Sequence, residues 1–582
     1  MLGKRSPQRG LFEADHLYLD YVGRDSFYGF LASERGQIFH DADFAQIYCL
    51  DNGRTSVPPS LLATALLLQT YDRVSDEEAK ARADFDLRWK VALGIGLDER
   101  PFAKSTLQVF RAQLILHETV RAVFQQSLTF ARKTGHLKHR KIKAALDTSN
   151  ILGRGAVKDT YNLLADGIVK LGRVLAKLAG RSPQDWAHAH TLSRYFTAPS
   201  LKGEANLDWE DRKARQQFLT QIVADADRVL ALARETLTGS APESAEYAEV
   251  TEAADLLAQV LLQDVTRTPA GASITEGVAP DRIVSVHDPE MRHGRKSASK
   301  RFDGHKAAIA VDTESGLITA ATVLPGNAPD NAHARELVEQ TEENAQVEVE
   351  ETIGDCAYGD GATRQEFADA QRPLIAKVPA RPQQTHFPKE DFRIDLATHT
   401  CTCPAGQETQ TLVRAGTRRD RDGEWVGVQA FQFDAAVCGV CPLRDACVAA
   451  GPGKGRTVTI HPQEALLQEA RAFQRSDAFA LYRKLRQVAE HRIARLMQLG
   501  VRQARYFGRV KTLYPLLMAA TVANLTLVAT KTGLMRGPNR RPHHHLAQTW
   551  DAAVVLIMAL TVSLACLAGL SDRLHSAGPV SV

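Results

Sequence analysis

Apolar and polar positions follow several distinct rhythms along this chain, and each change of rhythm marks a change of element. Residues 57–130 carry apolar positions at helical spacing. Pro58 and Pro59 precede SLLATALLLQTY, and proline suits the first turn of a helix. Ser75 with Glu78, and Ser105 with Gln108, have capping-box spacing, which predicts helix starts at both serines. Within STLQVFRAQL, Leu107, Val109, Phe110 and Leu114 are expected largely on one side of a helix. Short helices in succession can include a helix-turn-helix, so this region is a candidate DNA reader as well as a packed bundle.

KIKAALDTSN is a short alternating run that predicts a first strand with Asp147 near its end. Residues 151–270 return to helical spacing, as in VKLGRVLAKLAG and ADRVLALARETL, and read as an insertion between strands. From 281 the pattern turns to strands: DRIVSV, then KAAIAVDTESGLITAATVL as a hairpin turned at Glu314, Ser315 and Gly316. QVEVEETIGD predicts a strand ending at Asp355, followed by the turn AYGDGAT and a helix from Arg364. RPLIAKVP is the last strand, and residues 463–500 form a long helical stretch that holds Glu490. The sum is an α/β fold, a mixed sheet with helices interrupted twice by inserted modules.

Composition bounds this picture without redrawing it. At 582 residues, with 44% hydrophobic and 24% charged residues, the chain can build several cores. The net charge of +4 does not by itself announce a polyanionic partner, but the basic residues are clustered. One cluster holds Arg132, Lys133, Lys138, Arg140, Lys141 and Lys143; a second holds Arg292, Arg295, Lys296, Lys300, Arg301 and Lys306. A third spans Arg483 to Lys511 and includes Arg492, Arg495, Arg502, Arg505 and Arg509. Lysine and arginine clusters flanking candidate acids suit a phosphate backbone, where binding releases condensed counterions.

The N-terminal MLGKRSPQRG leads into no apolar signal region, and eight cysteines in so long a chain are no disulfide scaffold, so a reducing cytoplasm is expected. Five cysteines crowd into a polar, turn-rich stretch: Cys401, Cys403, Cys438, Cys441 and Cys447. Close pairs of this kind suit a tetrahedral structural zinc, against the plain alternative of reduced thiols. Cys49, Cys356 and Cys566 read as ordinary small side chains. Residues 552–570 are an apolar run long enough to span a bilayer, with the basic flank RGPNRRPHHH before it. A buried dimer helix or a degenerate tail is the favoured reading over membrane insertion, and His543 to His545 read as a polar link.

Cleaving a phosphodiester without a covalent intermediate is well served by two hard cations held by carboxylates. Acids at strand ends meet at one edge of a sheet, and a helix across that edge can add another; Asp147, Asp355 and Glu490 fit those places. With 68 acidic residues, composition gives no preference for Asp355 over Asp303, Asp312 or Asp360, and a turn-capping role is the ordinary fate of each.

The run DRIVSVHDPEMRHGRKSASKRFDGHKAAIAVD, followed by LPGNAPDNAHA, resembles the middle of the DDE transposases of bacterial insertion sequences. FAKSTLQVFRAQL and RQVAEHRIARLMQLGVRQARYFGRVKTLYPLLMAATVANL are similar to that family too, and the resemblance covers nearly all of residues 1–530. It implies a ribonuclease-H-like core from 136–150, 281–385 and 461–530, after an N-terminal helical domain over 1–135. A helical insertion (151–280), a cysteine-rich insertion (386–460) and a tail (531–582) complete the expected organisation. The family's acids match Asp147 in ALDTSN, Asp355 with Tyr358 and Gly359 in its turn, and Glu490 four residues after Arg486. Related transposases carry a Tyr seven residues before that Glu and a Lys seven after; here Arg483 and Met497 stand there.

The activity implied is cleavage at the element's ends and attack of the freed 3′-OH on target DNA, with two Mg²⁺ or Mn²⁺ ions on the three acids. Arg301, Lys306, Arg486, Arg502 and Arg505 are the expected DNA contacts. Partners implied are the terminal inverted repeats, target DNA and a second copy of the chain, in a bacterial cytoplasm at the nucleoid. A transposase-derived DNA-binding protein without catalysis is the alternative; a zinc-dependent regulator would leave the strand-end acids without a role.

Overall fold

The computed structural model describes residues 1–5, 13–49, 52–197, 199–238, 241–297, 299–379, 385–419 and 424–535. The apolar run 552–570, His543 to His545 and Cys566 therefore lie outside the described residues.

At the centre is a mixed sheet of β1 (Lys141–Leu152), β2 (Arg301–Asp312), β3 (Ile318–Pro325), β4 (Glu348–Ile353) and β5 (Leu374–Ile375). Their spatial order is β3-β2-β1-β4-β5, with β1, β2 and β3 antiparallel and β4 and β5 parallel to β1. A short strand, Arg292–Arg295, pairs antiparallel with the start of β2. This is the ribonuclease-H-like arrangement. The central strands are buried on both faces, which is why Ala144, Ala145 and Leu146 in β1 and the run Ala307–Val311 in β2 are continuously small and apolar. The β2–β3 hairpin turns where Glu314, Ser315 and Gly316 were expected, closed by the Asp312 carboxylate accepting from the Ser315 N–H at 3.0 Å.

The helix Arg509–Lys531 runs through the middle of the molecule. It is long and apolar enough to cross a membrane, but 83% of its most hydrophobic window is buried inside the protein. It packs on β3 and on the N-terminal helices Pro59–Asp72 and Val120–Lys133, so those helices and the sheet share one hydrophobic core. A single buried amide joins all three layers. Asn524 accepts from the Ile318 N–H at 2.9 Å, and its amide donates to the Ile318 carbonyl at 2.9 Å and to Ser127 Oγ at 3.2 Å.

Two modules with cores of their own interrupt the sheet. The first follows β1 and is helical, built on Thr160–Leu178, Arg212–Thr238 and Ala245–Asp264 and closed by a small hairpin. The second follows β5 and holds Cys401 on a short strand, Cys438 and Cys447 on two short helices, and Cys403 and Cys441 in the chain beside them. A buried ion pair between Lys389 and Glu464 ties it to the helix Glu464–Gln474.

Several local expectations are corrected. DRIVSV forms no strand; Ile283, Val284 and Val286 are buried as irregular chain, with Ile283 and Val286 in the core of the helical module. The helix of STLQVFRAQL starts at Lys104 with Ala103 before it and no side-chain cap, so Ser105 caps nothing. In it Leu107, Phe110 and Leu114 are buried, but Val109 is 59% exposed because it points off the packed face. Ser75 does cap its helix, its Oγ accepting from the Glu78 N–H at 3.1 Å. Residues 463–500 are two helices, Glu464–Gln474 and Ala478–Gln498.

Asn524→Leu should leave two buried groups of Ile318 unpaired and lower unfolding stability by about 2–4 kcal/mol. Urea denaturation measures this, with exposed Val510→Ala expected to leave the midpoint unchanged.

Candidate active site

The parallel pairing of β1 with β4 sets the first part of the site. Ala145 lies opposite Ile353 at the end of that ladder, so two residues further on each chain Asp147 and Asp355 stand side by side on one face. Asp147 is not at a strand end, as the alternating pattern suggested, because β2 pairs with β1 through to Leu152. It stands where β4 stops. Past β4 the chain turns sharply, with the Asp355 carboxylate accepting from the Ala357 N–H at 2.8 Å. Glycine is required on both sides of that turn. A Cβ at Gly354 would meet the Tyr358 side chain at 2.6 Å, and one at Gly359 would meet the Lys377 carbonyl at 2.0 Å. The Tyr358 ring is thereby tucked under the carboxylates, fully buried.

The helix Ala478–Gln498 packs on β1 and β2 and brings Glu490 to the same cleft. One helical turn earlier Arg486 forms an ion pair with Glu490. Asp147, Asp355, Glu490 and Arg486 line a single cleft of about 450 Å³ together with Arg295, Lys296, Lys306 and Asp330. The three expected acids therefore converge.

Their convergence has an electrostatic cost. Burial raises the Asp147 carboxyl to about 6; the Thr148 N–H and Arg486 oppose this, while the charges of Asp355 and Glu490 push the same way as burial. The Tyr358 hydroxyl, buried without a hydrogen-bond partner, is held well above its ordinary value by burial and by Asp147, Asp330 and Asp355.

The competing acids have other work. Asp303 pairs with His293. Asp360 caps the helix Gly361–Asp369, accepting from the Ala362 and Thr363 N–H groups at 2.9 and 3.1 Å. Asp312 is buried in the β2–β3 turn. Of the expected DNA contacts, Lys306 and Arg486 line the cleft, whereas Arg301, Arg502 and Arg505 are exposed outside its lining. The segment holding the last two is sewn to the end of β1: Leu152 N–H donates to the Arg502 carbonyl at 2.9 Å, and Arg154 donates to the Arg505 carbonyl at 2.6 Å. Two lysines of the first basic cluster are spent on neighbours, Lys141 on Glu348 and Lys143 on Glu351. Sequence reasoning missed Asp330, for which no spacing signal exists.

In the cysteine module Cys403, Cys438, Cys441 and Cys447 line one small pocket. Burial raises the Cys447 thiol, with the other three nearby adding to the effect and Arg456 opposing it. Cys401 lies fully buried on its strand, its thiol pushed up to about 11 by burial. All five are free thiols. Among the described residues no group of three or more His, Cys, Asp or Glu side chains is drawn together closely enough to hold a metal as it stands.

Comparison with known proteins adds the family. Residues 402–529 match the family described as transposase DDE domain, and residues 25–113 match the transposase domain family DUF772. No curated protein and no solved structure matches the chain. The two matches indicate a DDE transposase of an insertion element, and with it a nuclease-like enzyme of transposition. The matched segments hold Glu490 but neither Asp147 nor Asp355.

Because the folded Asp147 carboxyl is raised to about 6, its stabilising contribution is present below its unfolded value and lost as pH rises through about 6. Asp147→Asn should therefore stabilise the metal-free protein at pH 8 by about 2–3 kcal/mol, and leave it unchanged below pH ~4. Thermal melts in chelator across that range measure the difference.

Proposed function

We propose that this transposase cuts DNA at the ends of its element and joins the freed 3′-OH to target DNA, with Asp147, Asp355 and Glu490 as the catalytic acids. The observation that carries the reading is the β1–β4 register, which sets Asp147 beside Asp355, with Glu490 brought over the same cleft. The donor set suits two Mg²⁺ or Mn²⁺ ions: hard oxygen ligands, with Asp147 raised to about 6 by burial and by its acidic neighbours. When bound, such ions supply activation of the attacking oxygen and stabilisation of the leaving one. Arg486, paired with Glu490 one helical turn on, would orient that carboxylate or hold a DNA phosphate. Lys306 serves the cleft, and Arg301, Arg502 and Arg505 serve the DNA backbone beyond it, where contacts position the duplex without reading sequence.

Terminal repeats and target DNA are the partners, with two copies of the chain holding paired ends in the bacterial cytoplasm. The N-terminal helices over 1–135 are assigned to reading the ends. For the cysteine module we propose a structural zinc held by Cys403, Cys438, Cys441 and Cys447, whose four thiols share one pocket. Cys401, buried in its strand, is left out of that set.

With Mg²⁺ and a duplex carrying the element's flanking ends, the wild type should nick at the boundary. Asp147→Asn, Asp355→Asn and Glu490→Gln should each reduce cleavage by roughly two to three orders of magnitude while still binding DNA. Binding without any wild-type cleavage would favour a DNA-binding protein descended from a transposase. The purified chain should carry about one zinc, by metal analysis, and lose it in Cys438→Ser but not in Cys401→Ser.

A further inference from the structure

The cleft holds a fourth carboxylate, Asp330, bound to a lysine that the three acids do not explain. Lys306 stands on β2 opposite Asn150 of β1. Its side chain is only 10% exposed, yet it lines the cleft beside Asp147 and Asp355. Its ammonium donates to the Ala328 carbonyl and to the Asp330 carboxylate, both at 2.7 Å. A lysine has three N–H donors, so one is left after these two bonds.

The loop that supplies both acceptors is itself fixed. Asn327 donates to the Pro280 carbonyl at 2.9 Å and to Asp281 at 3.0 Å. Asn331 donates to Asp360 and Thr363, both at 2.6 Å, and so ties the loop to the helix that follows Asp355. At Gly326 a Cβ would meet the Gly304 carbonyl at 2.5 Å, so the loop lies hard against β2 just before Lys306. The ammonium is thereby held in place on two sides, while exposed lysines elsewhere in the same basic cluster, such as Lys296 and Lys300, carry no such framing.

A cation fixed beside carboxylates cannot share their ions, because an ammonium is no metal ligand. What it can meet in that cleft is anionic oxygen of the substrate. We propose that Lys306 contacts the non-bridging oxygen of the phosphodiester being cut, and that Asp330 is the positioning residue that holds Lys306 there. This rests on the nuclease reading of the cleft.

The test uses the full chain and duplexes with the flanking ends, carrying either an ordinary phosphodiester or a neutral methylphosphonate at the scissile step. Binding is measured in EDTA against salt, and cleavage in Mg²⁺. Lys306→Met should lower the salt slope by about one. The methylphosphonate should do the same to the wild type and nothing further to Lys306→Met. If the two losses add instead, Lys306 does not meet that phosphate and the proposal is overturned.

Asp330→Ala removes a negative charge from a DNA-binding cleft, so a role through the field alone would tighten binding and spare cleavage. Positioning predicts the reverse for cleavage: a fall of about tenfold or more, comparable with loss of a general catalytic contact. Asp330→Asn, which keeps an acceptor oxygen, should restore part of it. Lys306→Met with Asp330→Ala should be no slower than Lys306→Met alone, and the half-saturating Mg²⁺ concentration should not move. A further loss in the double variant, or a raised Mg²⁺ requirement in Asp330→Ala, would overturn the assignment. A wild type that cuts nothing would defeat the nuclease reading, while the methylphosphonate comparison would still decide whether Lys306 meets the phosphate.

Discussion

Repulsion among like charges in a half-buried cleft is the constraint around which this structure is arranged. Asp147, Asp355 and Glu490 line one cavity, where burial raises the Asp147 carboxyl to about 6 and the charges of Asp355 and Glu490 push it the same way. A flexible scaffold would let the three acids drift apart. Here two of them are set by a parallel ladder between buried strands, and the third by a helix packed on the same strands. The helix Arg509–Lys531 backs the sheet, and Asn524 locks it to β3 and to the N-terminal bundle. The rigidity that holds the acids together is thus distributed over elements far apart in sequence.

The same economy of position governs the residues around the acids. Gly354 and Gly359 let Tyr358 fold under Asp355, and Asp360 in the same turn caps the next helix. Arg486 answers Glu490 across one helical turn. The loop after β3 reaches back to the Asp355 side of the cleft through Asn331 and to β2 through Asp330. Both interrupting modules carry separate cores, so they can be inserted without disturbing the sheet register on which the site depends.

Much of this was legible in the sequence, for physical reasons. Buried central strands must be apolar on both faces, so KAAIAV and ITAATVL stood out, and their turn at Glu314 to Gly316 was readable from its polar residues. Amphipathic spacing exposed the helical insertion. DRIVSV misled because irregular chain buried between two units is as apolar as a strand, and Val109 misled because one apolar side chain can lie off the packed face. The acids were another matter. Among 68 acidic residues, Asp147 and Asp355 were separable from Asp303, Asp312 and Asp360 only by family resemblance. The structure adds a difference of place: Asp147 and Asp355 line one cleft with Glu490, while Asp303, Asp312 and Asp360 lie outside its lining. Asp330 could not be found in advance, because its meaning lies in a bond from its loop to Lys306, 24 residues away on β2.

The most direct measurement of the central claim replaces Mg²⁺ with Fe²⁺ and lets locally generated hydroxyl radicals cut the polypeptide wherever the ion is held. The fragments should map to the chain around Asp147, Asp355 and Glu490, should disappear with excess Mg²⁺, and should be lost together in Asp147→Asn. Cuts confined to other segments, or unchanged by Asp147→Asn, would mean that these three acids do not form the metal centre of this transposase.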